Sequence, residues 1–171
     1  MPKVAVVVGS ISKSSINRQF AQALAKLARP SLDLSIVEIG DLPLYDRELE
    51  AELPASVKRF KAEIAAADAV VFVTPEYLRS IPAALKNALE WGARPYGQNS
   101  FAGKPAGIVG VTPGAIGTAV AQAHLRSIAP VRELIVLSQP EIYIQLRADH
   151  ITEKGEFADE GMRKLLTGWV A

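Results

Sequence analysis

The first apolar run of the chain, VAVVV at residues 4–8, constrains the fold more than any other segment. All of its side chains are apolar, which is typical of a strand buried on both faces in a parallel sheet. The run ends at Gly9 and is followed by the hydroxyl-rich stretch SISKSSIN. Short donors at the start of a helix favour a bound phosphate, because the helix dipole stabilises negative charge there. The alternative is an ordinary N-capped helix, since Ser and Asn are the usual caps.

Strand-like and helix-like segments alternate along the rest of the chain. The predicted strands span residues 4–8, 32–39, 69–73, 106–111 and 134–137. The predicted helices span 17–27, 55–66, 82–91, 117–128 and 160–170, and the proline-rich, acidic segment 41–54 is predicted as a loop. This pattern predicts one α/β domain over residues 1–171, a three-layer sandwich around a five-stranded parallel sheet. We expect the flavodoxin-like strand order 2-1-3-4-5, with a ligand crevice at the carboxyl ends of strands one, three and four.

The composition excludes several classes of function. The chain contains no cysteine, which rules out disulfides, thiolate metal sites, iron–sulfur clusters and a cysteine nucleophile. Its 19 basic and 18 acidic residues give no overall field that would draw it to nucleic acid or to an anionic membrane. No apolar stretch is long enough to cross a membrane, and the first residues lack a secretory signal. We therefore expect a soluble, cytoplasmic protein.

Three loops follow the three strands that form the predicted crevice. The first is the Ser/Asn loop, the second begins with TPEYLRS, and the third is VTPGAIGTAV. Free backbone groups in the second loop and the ring of Tyr77 suit a flat heteroaromatic ligand. In the third loop, Gly114 and Gly117 let the main chain approach a ligand closely or adopt a positive φ. Taken singly, Tyr77 is more often a packed aromatic and the glycines simple turn residues, but their joint placement after the three crevice-forming strands favours binding.

These loops carry a family resemblance that covers essentially the whole chain. GSISKSSIN is similar to the pattern GSxRxxSxN of the NADPH-dependent FMN reductase family, a flavodoxin-like group that includes bacterial quinone and chromate reductases. TPEYLRSIPAALKNALEW resembles its signature TPEYNxSxPGxLKNAxDW, and TPGAIGTAVAQAHLR falls at its glycine-containing flavin loop. The sequence departs from the family pattern at Ser12, where the family has arginine, and at Leu78, where it has asparagine.

The resemblance implies a role for each loop. The first loop would hold the FMN phosphate, the second would border the isoalloxazine ring and ribityl chain, and the third would close the other side. The FMN-binding residues so predicted are Ser10, Ser12, Ser15, Ile16, Asn17, Pro75, Glu76, Tyr77, Leu78, Arg79, Ser80, Thr112, Pro113 and Gly114.

The implied activity is the transfer of electrons from NADPH or NADH through bound FMN to quinones, flavins or other small acceptors, with ping-pong kinetics. The flavin would carry the chemistry, and the sequence offers no catalytic triad or metal site; His124 and His150 favour surface or capping roles. No GxGxxG is present, so the nicotinamide would be a visiting substrate. Lys13, Arg18 and Arg79 are candidates to meet a 2′-phosphate, or are solvated surface charges.

Two other functions stay open: a non-enzymatic electron carrier of the flavodoxin type, and a flavin-binding subunit without turnover. The near-neutral charge favours the reductase over a carrier that docks through an acidic face. The predicted third helix places Leu85, Leu89 and Trp91 near the proposed flavin edge, and in the resembling family neighbouring subunits meet there. We therefore expect a homodimer or homotetramer, although Trp91 equally suits a core position.

Overall fold

The computed structural model describes residues 1–171 and alternates strands with helices along the chain. The strands are β1 (Lys3–Val8), β2 (Asp33–Val37), β3 (Ala69–Val73), β4 (Pro105–Val109), β5 (Val111–Thr112), β6 (Ile135–Val136) and β7 (Ile144–Gln145). The helices are α1 (Ile16–Ala28), α2 (Ala55–Ala66), α3 (Ala83–Ala93), α4 (Ala119–Ile128) and α5 (Glu160–Val170). Short 3-10 turns cover Arg47–Glu50, Ala129–Arg132 and Ala148–His150.

Five parallel strands form the main sheet in the order β2-β1-β3-β4-β6. Because β6 lies within the predicted segment 134–137, this arrangement confirms the predicted order 2-1-3-4-5 and the flavodoxin-like fold. Val73 is in register with Val8 on one side and with Val109 on the other. The carboxyl ends of β1, β3 and β4 are therefore level, and the loops that follow them leave the sheet side by side.

Apolar side chains cover both faces of this sheet. On one face Val7 and Phe72 pack with Phe60 of α2 and helices α3 and α4. On the other face Val6 packs with Phe20 of α1 and with α5. Residues 4–8 are all buried, which confirms that the opening apolar run is an interior strand.

The predicted strand 106–111 is wrong in one respect, because it is broken at Gly110. β4 ends at Val109, and β5 leaves the main sheet to pair with β7 in a separate two-stranded ladder. A Cβ at Gly110 would lie 2.0 Å from the carbonyl oxygen of Thr74, so the chain approaches the neighbouring loop too closely to continue as a regular strand.

Other differences lie at the ends of elements. The second strand is shorter than the predicted 32–39 because only Asp33–Val37 pairs with β1. Helix α4 starts two residues later than predicted, since Gly117 (φ +59) and Thr118 (φ +65) are left-handed and cannot belong to a right-handed helix.

Segment 41–54 packs along α3 and settles the position of Trp91. The main-chain oxygen of Pro43 accepts hydrogen bonds from Trp91 Nε1 at 2.7 Å and from Asn87 Nδ2 at 2.9 Å. Trp91, Leu85 and Leu89 are all buried in the chain's own core. The interpretation of Trp91 as a core residue is therefore correct. These three residues do not support the expected contact between subunits.

Candidate functional site

A cleft of about 230 Å³ lies between the three loops at the carboxyl ends of β1, β3 and β4. Such a position is where open α/β sheets bind ligands. The cleft is lined by Ser10, Ser12, Ser14, Ser15, Ile16, Asn17, Pro75, Glu76, Tyr77, Val111, Thr112 and Pro113.

Most of the predicted FMN-binding residues line this cleft, from all three loops. Ser14 and Val111 line it as well, although the sequence reasoning passed over them. Ser14 stands among the predicted serines, so the hydroxyl-rich pattern itself was the available signal. The predicted residues that lie outside the lining are Leu78, Arg79, Ser80 and Gly114.

A larger depression, about 500 Å³, lies at the opposite end of the sheet. It is lined mainly by apolar residues at the amino ends of the strands and by Trp169 near the chain end, and no titratable side chain faces it. Because this depression lacks the convergent polar groups of a binding site, the smaller cleft is the candidate functional site.

The start of α1 supplies hydrogen-bond donors to the cleft. Ser15 is the N-cap, and its Oγ accepts a hydrogen bond from the Arg18 amide at 3.2 Å. The main-chain amides of Ile16 and Asn17 have no acceptor within the chain, and the first turn contains no acidic residue. The hydroxyls of Ser12 and Ser14 lie 3.3 Å apart at the exposed side of the same loop. This donor set fits a phosphate group.

Two polar side chains of α1 point to protein partners. The Asn17 side chain pairs with the main chain of Val111, donating from Nδ2 to the carbonyl at 2.9 Å and accepting at Oδ1 from the amide at 3.0 Å. Arg18 forms a two-pronged ion pair with Glu38, and this hydrogen bonding raises the pKa of Arg18 and lowers that of Glu38. Asn17 therefore ties the first loop to the third, and its main-chain amide is the group left for a ligand.

The second loop forms a wall of the cleft through Tyr77. Its hydroxyl lies 3.3 Å from Ser10 Oγ, so the first and second loops touch. Residues Tyr77 and Ser80 exchange two main-chain hydrogen bonds of 3.0 Å each, which closes a tight two-residue turn. Ser80 Oγ lies 3.0 Å from His124 Nδ1, so this hydroxyl is engaged by α4.

Glu76 joins the second loop to α4. Its Oε2 accepts hydrogen bonds from the amides of Val120 at 3.0 Å and Ala121 at 3.1 Å, and its Oε1 accepts one from Arg79 at 3.2 Å. Only 6% of the Glu76 side chain is exposed. The carboxylate therefore caps the N-terminus of a helix from a neighbouring loop.

The third loop is fixed by the β5–β7 ladder. The Leu146 amide donates to the Thr112 carbonyl at 2.9 Å, and Gln145 Nε2 donates to the Pro113 carbonyl at 2.8 Å. Of the two glycines singled out in the sequence, Gly117 has a positive φ, whereas a Cβ at Gly114 would meet no close neighbour.

Comparisons with known proteins show which family the chain is similar to. The sequence pattern of the family described as NADPH-dependent FMN reductase matches residues 2–149. A 2-hydroxy-1,4-benzoquinone reductase from a Burkholderia species is 46% identical over 164 residues, which is 96% of this chain and 90% of that protein. A quinone reductase from Pseudomonas putida is 49% identical over 158 residues, covering 92% of this chain and 85% of the relative.

A solved structure also superposes closely. It is the flavoenzyme NAD(P)H:(acceptor) oxidoreductase FerB from Paracoccus denitrificans, with a TM-score of 0.96 and 45% identity, covering 99% of this chain and 93% of that one. The match of the whole fold, together with the family pattern across most of the chain, leaves one assignment: this chain belongs to the NADPH-dependent FMN reductase family.

Proposed function

We propose that the protein is an FMN-dependent NAD(P)H oxidoreductase that passes electrons to quinones, flavins or related small acceptors by a ping-pong mechanism. The observation that carries the proposal is the set of hydroxyls and free α1 amides gathered beside the Tyr77 wall. The family assignment supports FMN and a reduced nicotinamide as reactants. Two of the similar proteins are quinone reductases, which supports the acceptor class.

The protein's own residues bind and orient under this proposal. Ser12, Ser15 and the amides of Ile16 and Asn17 would hold the phosphate, while Tyr77 and Pro113 border the ring. When bound, FMN supplies the hydride and electron transfer itself. The cleft, at about 230 Å³, is smaller than the roughly 300–1,000 Å³ of typical small-ligand pockets. We therefore expect the ring to reach beyond it, onto the rim at the turn between Tyr77 and Ser80.

A flavodoxin-type electron carrier is the second candidate. It would need an acidic docking face, and the site loops instead carry the exposed Lys13 and the ion-paired Arg79. A flavin-binding subunit without turnover is the third candidate. Detection of turnover would distinguish the reductase from such a subunit.

The decisive experiment mixes purified protein with FMN and NADPH or NADH without oxygen and follows the visible flavin absorbance. We expect the flavin to bleach and then to reoxidise on addition of a benzoquinone. Absence of bleaching with both nicotinamides would reject the reductase and leave the carrier or the subunit.

A charge placed at the phosphate end tests the binding residues. Ser15→Asp keeps a good N-cap but sets a carboxylate where the phosphate would lie, so FMN binding should fall at least about tenfold with no loss of Tm. The matched control is Ser31→Asp, which adds the same charge at an exposed position just beyond α1. Equal FMN affinity in wild type and Ser15→Asp would contradict the phosphate assignment.

The proposal includes assembly as a homodimer or homotetramer and a location in the cytoplasm. The likeness to the family supports assembly, and the exposed side chains of Leu44 and Tyr96 offer apolar area for it. Light scattering at micromolar concentration tests it, and a monomeric mass would remove it. No helix of the structure has the length and apolar character to cross a bilayer.

A further inference from the structure

The turn between Tyr77 and Ser80 contains two residues with unfavourable backbone conformations. Leu78 has φ +50 and Arg79 has φ +60, both in the left-handed region. With the paired hydrogen bonds of Tyr77 and Ser80, this geometry corresponds to a turn of type I′, which favours Asn and Gly at both central positions. Leucine at the first of them is strained, because its Cβ crowds the following carbonyl.

Nothing within the chain offsets this strain at Leu78. Its side chain is 100% exposed, so it gains no burial from the fold. An exposed leucine in a left-handed conformation is disfavoured twice, by its backbone and by its contact with water. The benefit must therefore arise in a complex.

The position of the turn identifies that complex. Leu78 directly follows Tyr77, which lines the cleft and is itself 52% exposed. The phosphate-binding donors lie at the first loop, so the Tyr77 wall is where a ring system leaves the cleft. The first and third loops also present exposed apolar side chains, Ile11 and Ile116. The acceptor must approach over this rim.

We propose that Leu78 is a specificity-determining residue that contacts the apolar substituent of a quinoid acceptor at the rim of the cleft. This inference rests on the proposed function. It predicts a preference for acceptors with an alkyl group over those without one, because the leucine buries apolar area only when such a group lies against it. The residue acts on acceptor binding and takes no part in the chemistry.

The test compares methyl- and n-butyl-1,4-benzoquinone, which differ mainly in alkyl length. In ping-pong kinetics the acceptor's kcat/KM reports the second half-reaction alone, so the donor does not affect the ratio. Leu78→Asn should lower the butyl-to-methyl ratio of kcat/KM about 3–10-fold, mainly through the KM of the butyl compound. Because asparagine tolerates the left-handed region, its Tm should rise by about 2–4 °C.

Leu78→Met and Leu165→Asn are the controls. Met restores apolar reach and should keep most of the butyl preference, while Leu165→Asn removes an exposed leucine of α5 that does not line the cleft and should leave the ratio unchanged. If Leu78→Asn is more stable but equally selective, Leu78 is a turn residue only and the proposal fails. An unchanged ratio with a loss of the oligomer in light scattering would assign Leu78 to a subunit contact and also reject it.

Failure of the proposed function and failure of this inference give different results in the quinone assay. A wild-type protein that binds FMN but reduces neither quinone would overturn the proposed function and this inference with it. Reduction of both quinones with an unchanged ratio in Leu78→Asn overturns the inference alone.

Discussion

The hydrogen bonds of Glu76 give the sharpest test of how the crevice loops are held. Both carboxylate oxygens are occupied, one by the Val120 and Ala121 amides and the other by Arg79. The N-cap of α4 itself, Thr118, is left-handed and makes no capping hydrogen bond with its side chain. Glu76→Ala therefore removes the only side-chain cap of this helix and leaves two amides of its first turn without an acceptor.

The expected cost follows from these contacts. Loss of an N-cap costs about 0.5–2 kcal/mol, and loss of a negative charge at a helix N-terminus adds about 0.3–1 kcal/mol. Together they predict a destabilisation of about 0.8–3 kcal/mol for Glu76→Ala. A single oxygen of Glu76 accepts from both amides, so Glu76→Gln keeps that acceptor, loses only the charge and should cost about 1 kcal/mol or less. The Arg79 side chain is 70% exposed, so its ion pair contributes under about 1 kcal/mol.

Urea unfolding at neutral pH without added flavin measures these differences. A loss of about 0.8–3 kcal/mol corresponds to a Tm lower by about 2–12 °C in a domain of this size. Arg79→Met, which removes the ion pair and keeps Glu76, is the matched control and should stay within about 0.5 kcal/mol of wild type. If Arg79→Met lost as much as Glu76→Ala, the ion pair and not the helix cap would hold the loop; an unchanged Glu76→Ala would refute both.

Three further changes should have measurable effects. The hydrogen bond from Arg18 is the main cause that lowers the pKa of Glu38, so the charged carboxylate stabilises the folded protein above its unfolded pKa of about 4.5. Wild type loses this contribution as the pH falls through the folded pKa, and Glu38→Gln should remove it, at under about 1 kcal/mol, already at neutral pH. Tm measured between about pH 3 and pH 7 would show the difference. Burial lowers the pKa of Lys61 below 10.5. Between the folded pKa and the unfolded pKa the unfolded chain binds more protons than the folded one, so stability rises with pH across that range. Lys61→Met should abolish this rise in the free energy of unfolding, measured by urea unfolding. Gly110→Ala should lower the free energy of unfolding by about 3 kcal/mol, because its Cβ would overlap the Thr74 carbonyl. Urea unfolding measures this loss as well.

Local sequence patterns predicted most of the fold because each signal lay within a few residues. The apolar run 69–73 and the helix 55–66 have the same bounds in the sequence reading and in the structure. The break at Gly110 was missed because its cause, the Thr74 carbonyl, is distant in the sequence. β7 was missed because a two-residue strand has too short a pattern to detect.

The sequence predicted which three loops line the cleft, but it did not predict the hydrogen-bond partner of each side chain. Polar residue types indicate that a side chain will hydrogen-bond, but they do not indicate to what. Asn17 suits a phosphate by chemistry, yet the structure pairs its side chain with Val111, 94 residues away. Contact of each predicted residue with FMN remains a prediction that a flavin-bound structure would test.

The polar motif residues divide into those that hold the loops together and those left free for a ligand. Asn17 ties the first loop to β5, and Glu76 ties the second loop to α4. The groups left over are small hydroxyls and the amides of Ile16 and Asn17, which are fixed by the fold and need no long side chain to be ordered. An anion site of this kind depends on backbone geometry more than on any one cation. Retention of phosphate affinity with Ser12 in place of the family's arginine is then expected, provided that the Asn17 and Glu76 ties are intact.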